Sequence, residues 1–121
     1  MGEDIKEYLR EKGVPFSESK NLADVIHEAD AVYMTRIQDE WDKGEESSKI
    51  DYSNFHFKPD FLKLLRPNAV ILHPLPRRAE IPIEIDNDKR AMYWRQVRNG
   101  MWVRVALIAL IFKKDEEILH Y

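Results

Sequence analysis

Two short stretches decide the fold: Ala31-Val32-Tyr33-Met34 and Ala69-Val70-Ile71-Leu72. Both are apolar and lack polar alternation, the pattern of a strand covered on both faces. Helical patterns lie around them. Ile5, Tyr8 and Leu9 recur at helical spacing until Gly13 and Pro15 stop them, and Val14 to Phe16 is a short extended piece. Asn21 is placed to cap a second helix whose apolar face is Leu22, Val25, Ile26 and Ala29. Pro59 opens a helix carrying Phe61, Leu62, Leu64 and Leu65, which ends at Arg66-Pro67. After the proline-rich turn from His73 to Pro82, a helix is predicted from about Asn87 to Val97, broken at Asn99-Gly100, with a final helix from about Met101 to Phe112. The polar run from Asp39 to Asp51 reads as a long surface loop.

Apolar strands separated by helices imply a parallel sheet with helix crossovers, so the fold class is α/β, a three-layer α/β/α arrangement around a short sheet. In such sheets ligands bind at the carboxyl ends of the strands. The residues immediately after each strand are therefore the candidates for chemistry.

Composition narrows the function classes. The chain has 121 residues, no cysteine, and 19 basic against 22 acidic side chains, for a net charge of −3. Disulfide, cysteine-zinc and thiol redox chemistry are excluded. Arg77, Arg78, Lys89, Arg90, Arg95, Arg98 and Arg104 are interleaved with Glu80, Glu84, Asp86 and Asp88, a solvated face rather than a nucleic-acid surface. Met1-Gly2-Glu3-Asp4 has no signal-peptide character, and Gly2 is set before an ordinary amphipathic helix rather than in a lipidation signal. The apolar run from Val105 to Phe112 rises only ~12 Å as a helix, well short of the ~20 residues of a membrane span. A cytoplasmic protein is expected. The acidic loop lacks calcium-loop spacing, and no metal is expected.

The first post-strand segment is Met34-Thr35-Arg36-Ile37-Gln38. Arg36 offers a planar fork suited to a carboxylate or phosphate, and in an extended continuation Gln38 points the same way. A pairing of Arg36 with a loop carboxylate such as Asp39 or Glu40 is the plainer alternative. The second segment is His73-Pro74-Leu75-Pro76-Arg77. Its two prolines remove two N–H donors while every carbonyl stays available, so the turn can aim acceptors at an amine or amide NH₂. A rigid turn without a ligand, and a structural His73, are the alternatives.

These two segments resemble the aspartate-domain motifs of the aspartate carbamoyltransferase family, in order and in separation. The downstream run Asp86-Asn87-Asp88, Arg90-Ala91, Tyr93, Gln96, Asn99-Gly100, Val103-Arg104 and Ala106-Leu107 is similar as well. The sister family acting on ornithine normally carries a cysteine in the His-Pro-Leu-Pro position, so aspartate is favoured.

The resemblance implies transfer of a carbamoyl group from carbamoyl phosphate to the amine of L-aspartate, an early step in making pyrimidines, with no cofactor. It implies that Arg36 binds an aspartate carboxylate and Gln38 orients the amino acid. The backbone at Pro74 and Leu75 would meet the carbamoyl and amino groups, and Leu75-Pro76 would be a cis peptide. Thr35, His73 and Arg77 would support them. The family's Ser-Thr-Arg-Thr phosphate-binding motif is absent, and so is its His-Pro-x-Gln motif, since residues 73–76 read His-Pro-Leu-Pro. The chain therefore resembles the last third to two-fifths of a catalytic subunit, an incomplete Rossmann-like fragment inactive alone. Residues 1–100 would be a partial aspartate-binding domain. Residues 101–121 would form a C-terminal helix that in the family packs on the carbamoyl phosphate domain. Without that cover, self-association into a homo-oligomer through the helix is expected. Where the family usually reads Glu-Arg, this chain has Glu40-Trp41, a departure that bears on domain closure.

Overall fold

Strand β1 (Ala31–Tyr33) pairs in parallel with β2 (Val70–Leu72), with Val32 opposite Ile71 and Tyr33 opposite Leu72. The structure, a computed structural model, describes residues 1–36 and 56–119. Pairing continues beyond the strands, through the Val70 N–H to the Asp30 carbonyl (3.0 Å) and the Met34 N–H to the Leu72 carbonyl (2.9 Å). Residues 90–92 cover the far edge of β2: the Ile71 N–H donates to the Arg90 carbonyl (2.7 Å), and the Met92 N–H donates to the Ile71 carbonyl (2.9 Å). Strand β2 is thus bonded on both edges, and Ile71 at its centre is fully buried. Residues 14–16 lie outside this sheet. The α/β reading, with a short parallel sheet, holds.

The early helices follow their caps more closely than their apolar faces. Helix α1 (Glu3–Glu11) ends at Gly13, whose φ of 64° fits glycine. The Gly13 N–H reaches the Arg10 carbonyl and the Val14 N–H the Leu9 carbonyl, a Schellman stop. Yet α1 buries none of its residues, and Ile5 and Tyr8 stay exposed. The N-terminal ammonium and Lys6 tie it to Glu18 instead. In front of α2 (Leu22–Val25), the Asn21 side chain accepts the Ala23 N–H at 3.2 Å, as a cap should. One 3₁₀ turn (Ile26–Glu28) follows, and within it Ile26 is fully buried. Helix α3 (Phe61–Leu64) follows the Pro59-Asp60 turn and stops before Arg66-Pro67, with Phe61 and Leu65 in the core.

Two helical expectations are corrected. Helix α4 (Tyr93–Ile111) starts at Tyr93 rather than near Asn87. A 3₁₀ segment (Ile83–Asn87) comes first, and residues 90–92 are drawn into the sheet edge, so the chain cannot coil until afterwards. Nor is α4 broken at Asn99-Gly100; it runs through as one helix of 19 residues. An interior glycine costs only ~1 kcal/mol against alanine, too little to end a helix whose flanks both propagate. A Cβ at Gly100 would lie 3.3 Å from the Arg104 guanidinium, so the glycine lets that side chain fold back along the helix. The stop comes at Lys113, with φ 53° and Schellman bonds to Leu110 and Ala109, before α5 (Asp115–Leu119).

One core joins the two strands, the 3₁₀ turn after α2, α3 and the start of α4. It joins Ile26, Val32, Met34, Phe57, Phe61, Leu65, Ala69, Ile71, Ile81, Ile85 and Tyr93, with Phe57 and Phe61 edge to face at 5.8 Å. Arg90 fastens α3 to it. Its guanidinium holds both oxygens of Asp88 at 2.8 Å and donates to the Leu62 and Leu65 carbonyls at 2.9 Å, filling acceptors that the helix end leaves open. Those bonds from Arg90 hold the Asp88 carboxyl down at about 2. The first turn of α4 is in the core through Tyr93, whereas Trp102, Val103, Leu107, Ile108, Leu110, Ile111 and Phe112 are each more than half exposed. Among the described residues, no helix is long and apolar enough to cross a membrane.

Candidate functional site

Because β1 and β2 are parallel and in register, their carboxyl ends leave the sheet side by side. Met34-Thr35-Arg36 departs from one and His73 to Arg77 from the other. Met34 is buried, Thr35 exposed and Arg36 half-buried. Gln38, Glu40-Trp41 and the acidic loop 39–51 lie outside the described residues.

His73 organises the second segment. It is wholly buried, and its N–H donates to the Gln96 side-chain oxygen at 3.0 Å. The Gln96 Nε2 donates in turn to the Tyr33 hydroxyl at 3.0 Å, so one side chain of α4 ties the two strand ends together. The Leu75 N–H donates to His73 Nδ1 at 2.8 Å. Nδ1 must therefore present a lone pair, and the neutral ring carries its proton on Nε2, which lies 2.7 Å from Glu80 Oε1. Glu80 is buried and also accepts the Arg78 N–H at 3.1 Å. Burial by itself pushes the Glu80 carboxyl up; bonds from its own and the Arg78 backbone N–H, with His73, outweigh that and hold it below the usual range.

Pro74 and Pro76 have no N–H, so Leu75 supplies the one backbone donor of residues 74–76, and His73 consumes it. The Leu75-Pro76 bond is cis, as the resemblance implies, and Leu75 has φ 50°. Among the described residues, the Pro74 and Leu75 carbonyls accept no hydrogen bond. The turn borders an open cleft of about 800 Å³, walled by Tyr33 and by Trp94, Gln96, Val97, Gly100 and Arg104 of α4.

Arg77 braces the turn. Its Nη2 donates to Asp86 Oδ2 at 2.7 Å, its Nη1 bonds the other carboxylate oxygen, and the guanidinium lies over the Trp94 ring at 5.6 Å. The buried Tyr93 hydroxyl donates to the same carboxylate. Arg77 holds the Asp86 carboxyl below its usual range, while burial and then Asp86 push the Tyr93 hydroxyl up. The fork of Arg77 is spent on Asp86.

The structure thus brings His73, Pro74, Leu75, Pro76 and Arg77 to one cleft. Thr35 lies instead in a neighbouring cleft of about 620 Å³ with Glu80, His56 and Asn21, and Arg36 lines neither. Sequence reading missed Glu80, Gln96 and Tyr33 as parts of the site. Glu80 entered only as a charge offsetting arginines, and no periodicity links it to a histidine seven residues earlier across two prolines.

Residues 1–111 match the family model for the Asp/Orn binding domain of aspartate/ornithine carbamoyltransferase. The chain belongs to this carbamoyltransferase family. It is 42% identical over 113 residues to aspartate carbamoyltransferase 1, chloroplastic, of Pisum sativum, covering 92% of this chain and 29% of that protein. Identity to the aspartate carbamoyltransferase catalytic subunit of Clostridium acetobutylicum is 43% over 104 residues, covering 86% of this chain and 34% of that one. Among solved structures, the aspartate transcarbamoylase of Trypanosoma cruzi in complex with phosphate superposes with a TM-score of 0.74 at 30% identity, covering 89% of this chain and 36% of that one. The same enzyme in complex with N-(phosphonacetyl)-L-aspartic acid also gives 0.74, over 88% of this chain and 34% of that one. The domain is therefore of the aspartate carbamoyltransferase type and has that α/β fold. The chain spans roughly a third of the length of these relatives, from 29% to 36%.

Proposed function

We propose that this chain supplies the L-aspartate-binding half of a carbamoyltransferase site, where a carbamoyl group passes from carbamoyl phosphate to the aspartate amine in pyrimidine synthesis. The observation that carries the reading is the turn at residues 74–76. Its single N–H is consumed internally, while no donor among the described residues takes its Pro74 and Leu75 carbonyls, at the carboxyl end of a parallel strand pair. Acceptors without competing donors complement an amine and a carbamoyl NH₂. Arg36 takes an aspartate carboxylate, Gln38 orients the amino acid, and Thr35, His73 and Arg77 support them. The catalytic contribution is positioning and stabilisation of developing charge. No segment of this chain supplies the Ser-Thr-Arg-Thr phosphate motif, so the chain alone makes no product. Residues 1–100 form the aspartate-binding part and residues 101–121 the segment that meets the carbamoyl phosphate domain. A cytoplasmic location is part of the same proposal.

Titration calorimetry with L-aspartate tests the half-site. Binding in the millimolar range that Arg36→Ala abolishes is expected, and no heat at high concentration removes the reading. Carbamoyl aspartate made by the purified chain from carbamoyl phosphate and aspartate would refute its inactivity.

The exposed apolar half of α4 favours a second reading, a self-associating folding or assembly module. Helices apolar all round are normally covered, and exposed patches beyond several hundred Å² mark interaction surfaces. Sedimentation at micromolar concentration is expected to find dimers or larger species, and a clean monomer counts against this reading.

A further inference from the structure

We propose that Glu80 is a positioning residue for the Pro74 and Leu75 carbonyls, acting through the tautomer of His73. The inference rests on the reading that those carbonyls meet the aspartate amine and the carbamoyl group.

The geometry forms a chain with one direction. The Leu75 N–H can point only at a lone pair, which it finds on His73 Nδ1 at 2.8 Å. A neutral imidazole with a lone pair on Nδ1 carries its proton on Nε2, and that proton needs an acceptor because the ring is fully buried. Glu80 Oε1 lies 2.7 Å away, and an ionised carboxylate is acceptor-only. Glu80 is itself anchored at its carboxylate by the Arg78 N–H and at its backbone carbonyl by the Phe57 N–H (2.8 Å). From Glu80, through the ring, to Leu75, every group has one permitted role. With prolines on both sides, the Leu75 N–H is the only tether of this kind that residues 74–76 can offer. A carboxylate that orients a histidine through its far nitrogen, and so selects the tautomer, is a recurrent device of functional sites. Here the controlled object is a backbone turn.

The Glu80→Gln variant keeps the shape and removes the discrimination. Its amide presents NH₂ as well as oxygen, so the ring can offer a lone pair on Nε2 and carry its proton on Nδ1, directly against the Leu75 N–H.

The test uses the isotope-labelled chain, with proton–nitrogen correlation of the His73 ring, hydrogen exchange of the Leu75 amide, and L-aspartate affinity by calorimetry. In the wild type the ring proton is expected on Nε2 and the Leu75 amide is expected to be protected. In Glu80→Gln a mixed or reversed tautomer is expected, with Leu75 exchange about tenfold faster and aspartate affinity about tenfold weaker. Phe57→Leu, which loosens the same core beside Glu80, is expected to leave the tautomer unchanged.

A wild-type ring carrying its proton on Nδ1 overturns the proposal. So does Glu80→Gln with unaltered tautomer and Leu75 exchange, or with an altered tautomer and undiminished aspartate affinity. If Glu80→Gln does not fold, the wild-type tautomer and Leu75 protection, with Phe57→Leu as control, decide. A wild type that binds no aspartate refutes the functional reading, and the tautomer and exchange results still judge Glu80.

Discussion

Removing the carboxylate at residue 88 should loosen α3 from the core in a way that depends on pH. Asp88 grips Arg90 through both oxygens, and the same guanidinium carries the Leu62 and Leu65 carbonyls of α3. The side chains of Arg90 and Asp88 are only 12% and 18% exposed, so solvent screens the pair weakly. A carboxyl lowered from 3.8 to about 2 contributes about 2 kcal/mol of folding stability. Because the folded value is depressed, the contribution is complete above the unfolded value near 4 and is lost as pH falls toward 2. Asp88→Asn should therefore be less stable than wild type by about 2 kcal/mol at pH 7, with the gap cut to about half at pH 3. Urea unfolding followed by circular dichroism at both pH values measures it. Taking the difference between the two proteins removes the carboxylates they share. A gap below about 0.5 kcal/mol at pH 7, within the range of ordinary surface substitutions, or a gap equal at both pH values, would refute the reasoning.

Three further outcomes follow from the packing and the caps. Ile71→Ala should cost about 2–5 kcal/mol, since Ile71 is fully buried, whereas Ile83→Ala at a 69% exposed position should stay within about 0.5 kcal/mol in the same denaturant series. Lys113→Gly should stabilise the chain by about 1 kcal/mol, because Lys113 sits at φ 53°; a lowered melting temperature would contradict the strain assigned there. Asn21→Ala should cost about 1 kcal/mol in thermal melts by freeing the Ala23 N–H from its cap, and Asn21→Ser should restore most of it.

What could be read in the sequence was local. The strands were legible because apolar runs such as Val70-Ile71-Leu72 have few other uses in a short α/β chain, and Gly13 and Asn21 announced their caps through their own conformational preferences. The late start of α4 was not legible. It depends on Arg90 and Met92 bonding to Ile71, a pairing across the sheet that leaves no periodic trace. Asn99-Gly100 misled because the same dipeptide can end a helix or let a neighbouring arginine fold back, and only the environment of Arg104 distinguishes them. In the site, the post-strand rule found the right turn. The partners that set it, Glu80 and Gln96, come from a loop and a helix whose approach local spacing cannot encode.

The Gln96 amide gives the cleft a polarity. Its oxygen is committed to the His73 N–H, so its nitrogen must donate, and the Tyr33 hydroxyl can only receive that bond. The hydroxyl proton of Tyr33 is then left to point elsewhere, on a residue half open to solvent at the cleft wall. The same cleft is lined by Pro74 and Leu75, whose backbone carbonyls can only accept. A hydroxyl with a proton to give and carbonyls that can only take one thus border a single cleft, which favours a molecule carrying both an acceptor and a donor.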